Sequence, residues 1–197
     1  MNIVKYRKLI PVIAVVLVAL GGGLEKLGFD LDSLTGGNTG NQSQNNNSQS
    51  NNQRSGPSQA GTDPHWSDTS PEINMWYVFA GEINRRGKPV GYHSRPGGRD
   101  APNARIKSIK SKPNRHGIYT ADIEIRDGNQ WKGKFSSFFP DSMSEDEVVE
   151  AILNAYNNSD DPNRQPWSGP SGHGFQIQGY TTSRGGINTA FPIFVNN

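Results

Sequence analysis

Four histidines are the chain's ready proton-transfer groups: His65, His93, His116 and His173. No two stand at the i, i+4 spacing that puts a pair of imidazoles on one helix face, and the chain has no cysteine. The spacing therefore predicts no zinc site, no thiolate nucleophile and no disulfide. A Gly-x-Ser-x-Gly elbow is absent; Gly169-Pro170-Ser171-Gly172 is one residue short of it and reads as a turn. Pro96-Gly97-Gly98 and Gly185-Gly186 match neither a phosphate-binding loop nor a dinucleotide fingerprint, and read as turns too. What remains is acid–base work by histidine beside charge neutralisation by lysine, which suits metal-free cleavage of an RNA phosphodiester. There a 2′-hydroxyl loses a proton, the 5′-oxygen gains one, and the phosphorane's extra charge must be neutralised.

His93 is the best placed of the four. It follows the apolar stretch Tyr77-Val78-Phe79-Ala80-Gly81-Glu82 and is flanked by Gly91 and the Pro96-Gly97-Gly98 turn, where a side chain can face a groove. Met75 to Ile83 reads as a buried strand. Ala104 to Lys110 and Ile118 to Ile125 alternate as half-exposed strands, and Lys132 to Phe139 is a third. A helix starts at Ser144, with Glu147 completing a capping box and Val148, Val149, Ile152, Leu153 and Tyr156 on one face. After a polar loop from Asn157 to Gly174, Phe175 to Thr182 and Ile187 to Val195 read as closing strands. The fold class is α+β, mostly antiparallel sheets with one clear capped helix.

This folded part occupies 66–197. Residues 1–24 open with Lys5, Arg7 and Lys8 and run into an apolar stretch from Leu9 to Leu20, the pattern of an export signal or short anchor. Membrane contact is expected only through this segment, with the remainder facing outward, secreted or anchored to the outer face of the cytoplasmic membrane. Residues 25–65 are rich in Gly, Asn, Gln and Ser and read as a flexible tether. The net charge of +2 hides a division. Ten Lys and Arg lie between Arg85 and Arg115 against Asp100 alone, whereas 116–161 is acidic. The basic run around His93 is expected to form an electrostatic track for a phosphate backbone, with Trp66, Trp76, Trp131 and Trp167 as candidate stacking surfaces.

The segment from Tyr77 to Ser94 resembles the bacterial EndoU pattern of His-apolar-apolar-x-Gly-Glu, a glycine-containing turn, then Gly-x-His-Ser. Lys134, Ser136, Ser137, Phe138, Phe139 and Pro140 resemble that family's Lys-x-Ser-Thr-Phe-Phe-Pro segment, and Thr189, Ala190, Phe191 and Pro192 its closing Thr-x-Tyr-Pro strand. The resemblance implies an endoribonuclease that needs no cofactor and leaves a 2′,3′-cyclic phosphate on single-stranded RNA or tRNA. It also implies an immunity protein as partner where such a nuclease acts as a toxin. His93 would be one catalytic histidine and Lys134 the clamp on the phosphorane, with Lys132 its rival. Thr189, Phe191, Ser136 and Ser137 would bind substrate. The family's first histidine is replaced by Tyr77. A phenol is a poor base at neutral pH but an acceptable donor to a leaving alkoxide, so Tyr77 is expected as the acid; His116 and His173 are alternative sources of the second imidazole. A catalytically impaired, RNA-binding module is the alternative function.

Overall fold

The computed structural model describes residues 65–196. The expected export segment and all but the last residue of the tether lie outside them. Among the described residues, no helix is long and apolar enough to cross a membrane.

The segment expected as a buried strand is instead a one-turn helix, α1 (Met75–Phe79), followed by a two-residue strand, β1 (Glu82–Ile83). The Asn74 side chain caps it by accepting from the Tyr77 amide at 3.0 Å, and Gly81, at φ +69°, turns the chain out of it. A short apolar run has no period that separates a strand from a buried helical turn; the capping asparagine decides it. β1 pairs antiparallel with β2 (Pro89–Val90), and a 3₁₀ turn follows at Pro96–Gly98.

Two three-stranded antiparallel sheets then form. The first joins β3 (Ala104–Ser111), β4 (Tyr119–Asp127) and β5 (Gln130–Phe138). The alternation read from the sequence holds: Ala121, Ile123 and Ile125 point inward with Tyr119, Phe138 and Tyr92, while Asp122 and Glu124 point outward. The second sheet joins β6 (Trp167–Pro170), β7 (Gln176–Thr181) and β8 (Ile187–Pro192). β6 lies inside the stretch expected as polar loop, because its Pro, Gly and Ser content hides a strand whose Trp167 is fully buried.

Helix α2 (Glu145–Asn157) carries the expected capping box at Ser144 and Glu147. It packs Val148, Ala151, Ile152 and Ala155 against Trp167, Ile177 and Ala190 of the second sheet. Gly169 permits this close approach, since a Cβ there would stand 2.0 Å from the Ala155 carbonyl oxygen. The described residues thus form two apolar cores, one per sheet. The sheets meet where β5 approaches β8, tied by the Ser137 hydroxyl donating to the Pro192 carbonyl at 2.8 Å. The functional side chains gather along this seam.

Candidate active site

His93 is set in place by the carbonyls that a helix end leaves without partners. The amide of Tyr92 donates to the Tyr77 carbonyl at 2.8 Å, and the amide of His93 to the Val78 carbonyl at 2.7 Å. The two halves of the Tyr77–Ser94 motif are therefore one unit: α1 supplies the acceptors and the histidine loop the donors. The turn needs consecutive left-handed residues, Gly91 at φ +73° and Tyr92 at φ +64°. Position 91 admits only glycine, because a Cβ would stand 2.2 Å from the Tyr77 carbonyl oxygen. Tyr92 carries a left-handed cost of about 1–2 kcal/mol, offset by complete burial of its ring and a 2.7 Å hydrogen bond to Asp100.

Beyond His93 the loop is anchored by carboxylates. Arg95 Nε lies 2.8 Å from Asp100 and its Nη1 3.6 Å from Asp141. The Tyr119 hydroxyl donates to Asp141 at 2.7 Å. On the far side, the Phe139 amide donates to the His93 carbonyl at 2.9 Å, joining the loop to β5.

His93 is only 4% exposed. Its Nδ1 lies 3.1 Å from the Ser137 carbonyl and 2.9 Å from Ser136 Oγ. A carbonyl cannot donate, and the Ser136 hydroxyl spends its proton on the Tyr92 carbonyl at 2.7 Å. Nδ1 therefore carries the ring's hydrogen, which leaves the Nε2 lone pair free. Burial first, and the Lys134 charge second, hold this imidazole well below its usual value, with the Ser137 carbonyl opposing them. At neutral pH His93 is an uncharged base.

Lys134 Nζ donates to the Gly91 carbonyl at 2.8 Å and reaches Ser136 Oγ at 3.4 Å. The residue is half-buried but its amine is densely enclosed, and burial pushes it down to about 7. Lys132, the expected rival, is already occupied: its Nζ lies 2.6 Å from Asp127 and donates to the Gly87 carbonyl at 2.9 Å. It braces the β1–β2 turn, and Lys134 is the lysine at His93.

Phe191 tilts against His93 with ring centroids 5.3 Å apart. Thr189, two residues earlier on β8, is buried, and its hydroxyl has no hydrogen-bond partner. Ser94, next to His93, also buries an unpartnered hydroxyl. Tyr180 pairs directly across from Thr189 and belongs to neither apolar core; burial pushes its phenol up to about 12. Tyr180 escaped the sequence reading, and only the β7–β8 register reveals it.

Tyr77 is buried, and its ring packs against Gly91, where a Cβ would meet the ring edge at 2.8 Å. His116 and His173 do not contact His93. They flank Phe175, at 6.4 Å and 6.3 Å between ring centroids, around a separate depression of about 300 Å³ that Glu147 and Pro140 also line. Neither supplies a second imidazole at the site. Among the described residues, no group of three or more His, Asp or Glu is placed to hold a metal ion.

The basic run is less free than its sequence implies. Arg105 and Lys107 both pair with Glu124, at 2.6 and 3.0 Å, and Lys110 with Asp122 at 3.0 Å. With Arg95 tied to Asp100 and Asp141, at least four of the run's ten cations are paired with carboxylates. Of the four tryptophans, Trp167 is core, and Trp76 and Trp131 are exposed.

Residues 76–194 match the family model described as bacterial EndoU nuclease. The chain belongs to the bacterial EndoU nuclease family. It is also similar to a protein named "Toxin" from Bacillus cereus, 34% identical over 120 residues, covering 59% of this chain and 21% of that protein. The chain thus spans about a fifth of that relative's length. No solved structure matches. The match begins beside Tyr77 and ends beyond Phe191, so every site residue lies within the EndoU region.

Proposed function

We propose that this EndoU nuclease is an endoribonuclease that cuts RNA by internal transesterification. His93 Nε2 removes the 2′-hydroxyl proton, the 2′-oxygen bonds to phosphorus, and the bond to the 5′-oxygen breaks. A 2′,3′-cyclic phosphate and a 5′-hydroxyl result. The Lys134 ammonium lies beside the charge that builds on the phosphorane. Thr189 offers its unpartnered hydroxyl to the nucleotide, and Phe191 a face for the base. The observation that carries this reading is the pinned tautomer of His93, with Nδ1 held by Ser136 and Ser137 and Nε2 left open. Two groups border Gly91 as candidates to protonate the leaving oxygen, Tyr77 and Lys134.

The B. cereus relative's name supports a toxin role, and with it an immunity protein as partner. The basic and apolar start of the chain supports export. The alternative, an RNA-binding module without catalysis, rests on tyrosine replacing the family's first histidine. One experiment separates them. The full chain is incubated with end-labelled RNA in EDTA and the products examined for cyclic-phosphate ends. Cleavage that His93→Ala lowers by about 10⁴-fold supports the enzyme. Salt-sensitive retention of RNA without cleavage supports the binding module, and equal cleavage by both proteins overturns the assignment of His93.

A further inference from the structure

We propose that Lys134, rather than Tyr77, is the general acid: its Nζ delivers the proton that the departing 5′-oxygen needs. This rests on the endoribonuclease reading above and assigns its second proton transfer.

The first support is the arrangement of hydrogen bonds. An ammonium has three hydrogens. Those of Lys134 go to the Gly91 carbonyl and to Ser136 Oγ, and the third has no acceptor among the described residues. Nor does any carboxylate there pair with Lys134, whereas Lys132, two residues earlier on the same strand face, is closed off by Asp127. A lysine kept only as a fixed cation gains from such a carboxylate; one that must release a proton loses by it.

The second support is spacing. Ser136 Oγ stands between the two groups, 2.9 Å from His93 Nδ1 and 3.4 Å from Lys134 Nζ. Nδ1 and Nζ are therefore about 6 Å apart at most, and the reacting Nε2, about 2 Å from Nδ1 across the ring, lies within about 8 Å of Nζ. A phosphate whose attacking 2′-oxygen is one hydrogen bond, about 3 Å, from Nε2 and whose leaving oxygen is as far from Nζ spans groups so spaced.

The third support is acidity. Burial brings the Lys134 amine to about 7, the range in which a group both holds a proton before the reaction and gives it up during it. An ordinary phenol near 10 is a weaker donor.

The step balances. The P–O5′ bond breaks with its electron pair on oxygen, Nζ–H supplies the proton, and Lys134 is left as a neutral amine. His93 holds the proton taken from the 2′-hydroxyl, and exchange with solvent restores both groups.

Leaving-group chemistry tests this. The four ribonucleoside 3′-(4-nitrophenyl) phosphates leave as nitrophenolate and need no proton, while the matching dinucleotides leave as an alkoxide and do. In the full chain, Lys134→Arg retains the positive charge, but its guanidinium stays protonated and releases no proton. It is expected to lose about 10³-fold on dinucleotides and less than about 10-fold on the aryl esters. Lys134→Met, which removes the charge as well, should show the same preference for the aryl esters at lower rates on both. Tyr77→Phe should show one deficit, large or small, common to both substrates. Arginine retaining dinucleotide cleavage within about 10-fold overturns the proposal, as do equal losses on the two substrates. A leaving-group-dependent loss in Tyr77→Phe instead makes Tyr77 the donor. If the unaltered chain cleaves neither substrate, the endoribonuclease reading falls and this assignment with it.

Discussion

Two lysines on one face of β5, two residues apart, live under opposite rules. Lys132 is clamped between the Asp127 carboxylate at 2.6 Å and the Gly87 carbonyl at 2.9 Å. Lys134 has only neutral oxygens, the Gly91 carbonyl and the Ser136 hydroxyl. The same division runs along the histidine loop. After His93, Arg95 is surrounded by Asp100, Asp141 and two tyrosine hydroxyls; at His93 itself no carboxylate takes part. Carboxylates hold the loop beyond His93 and are absent where the proposed mechanism moves protons. An ion pair would hold Lys134 fully charged and raise the His93 value, and either change works against the chemistry.

Moving a carboxylate across that boundary should have the largest effect. Ser136→Asp puts an anion between His93 Nδ1 and Lys134 Nζ, giving Lys134 what Asp127 gives Lys132. The expected result is a loss of about 10³-fold in RNA cleavage, with the protein still folded by circular dichroism. Activity within about 10-fold of the unaltered chain would mean that a carboxylate-free site is not required. Next in size is the pH dependence of kcat/KM. In the proposed mechanism the active form combines neutral His93 with protonated Lys134. The rate should therefore be on its plateau between the depressed His93 value and about 7, and fall tenfold for each pH step above that. Lys134→Arg should lose this alkaline limb while it keeps the acid one. A limb near 10 would point to a phenol.

The sequence displayed this division only in part. β3, β4, β5 and α2 were legible because their burial alternates with period two or recurs along one helix face, and Ser144 with Glu147 marks a helix start. Short elements were not. α1 is a single turn whose apolar run has no period, and β6 is written in Pro, Gly and Ser. At the site, His93 and Lys134 stood out by type and motif. Telling Lys134 from Lys132 required the β4–β5 hairpin, which brings Asp127 round to Lys132 and leaves Lys134 opposite Ile123. Tyr180 depended on the β7–β8 register for the same reason. The charge run misled because cross-strand pairing sets Arg105 and Lys107 against Glu124, an acid nearly twenty residues away.

The smallest effects contrast the two lysines in stability rather than in rate. Replacing Lys134 with Met should stabilise the fold by roughly 2 kcal/mol at pH 6, since a buried amine no longer has to be kept charged. The gain is trimmed because the Gly91 carbonyl loses its donor. Its pH dependence has a definite sign. Folding lowers the Lys134 value from 10.5 to about 7, so between those limits the unfolded chain binds more protons than the folded one. The stability of the unaltered protein accordingly rises with pH across that window, and the advantage of Met fades there. Asp127→Asn, in contrast, removes the carboxylate from a partly exposed pair and should cost only about 0.5 kcal/mol, with cleavage unchanged. Urea unfolding of the three proteins at pH 6 and pH 9 measures both effects. If Lys134→Met proves less stable than the unaltered chain at both values, Lys134 belongs with Lys132 as a structural cation and the boundary between the two regions disappears.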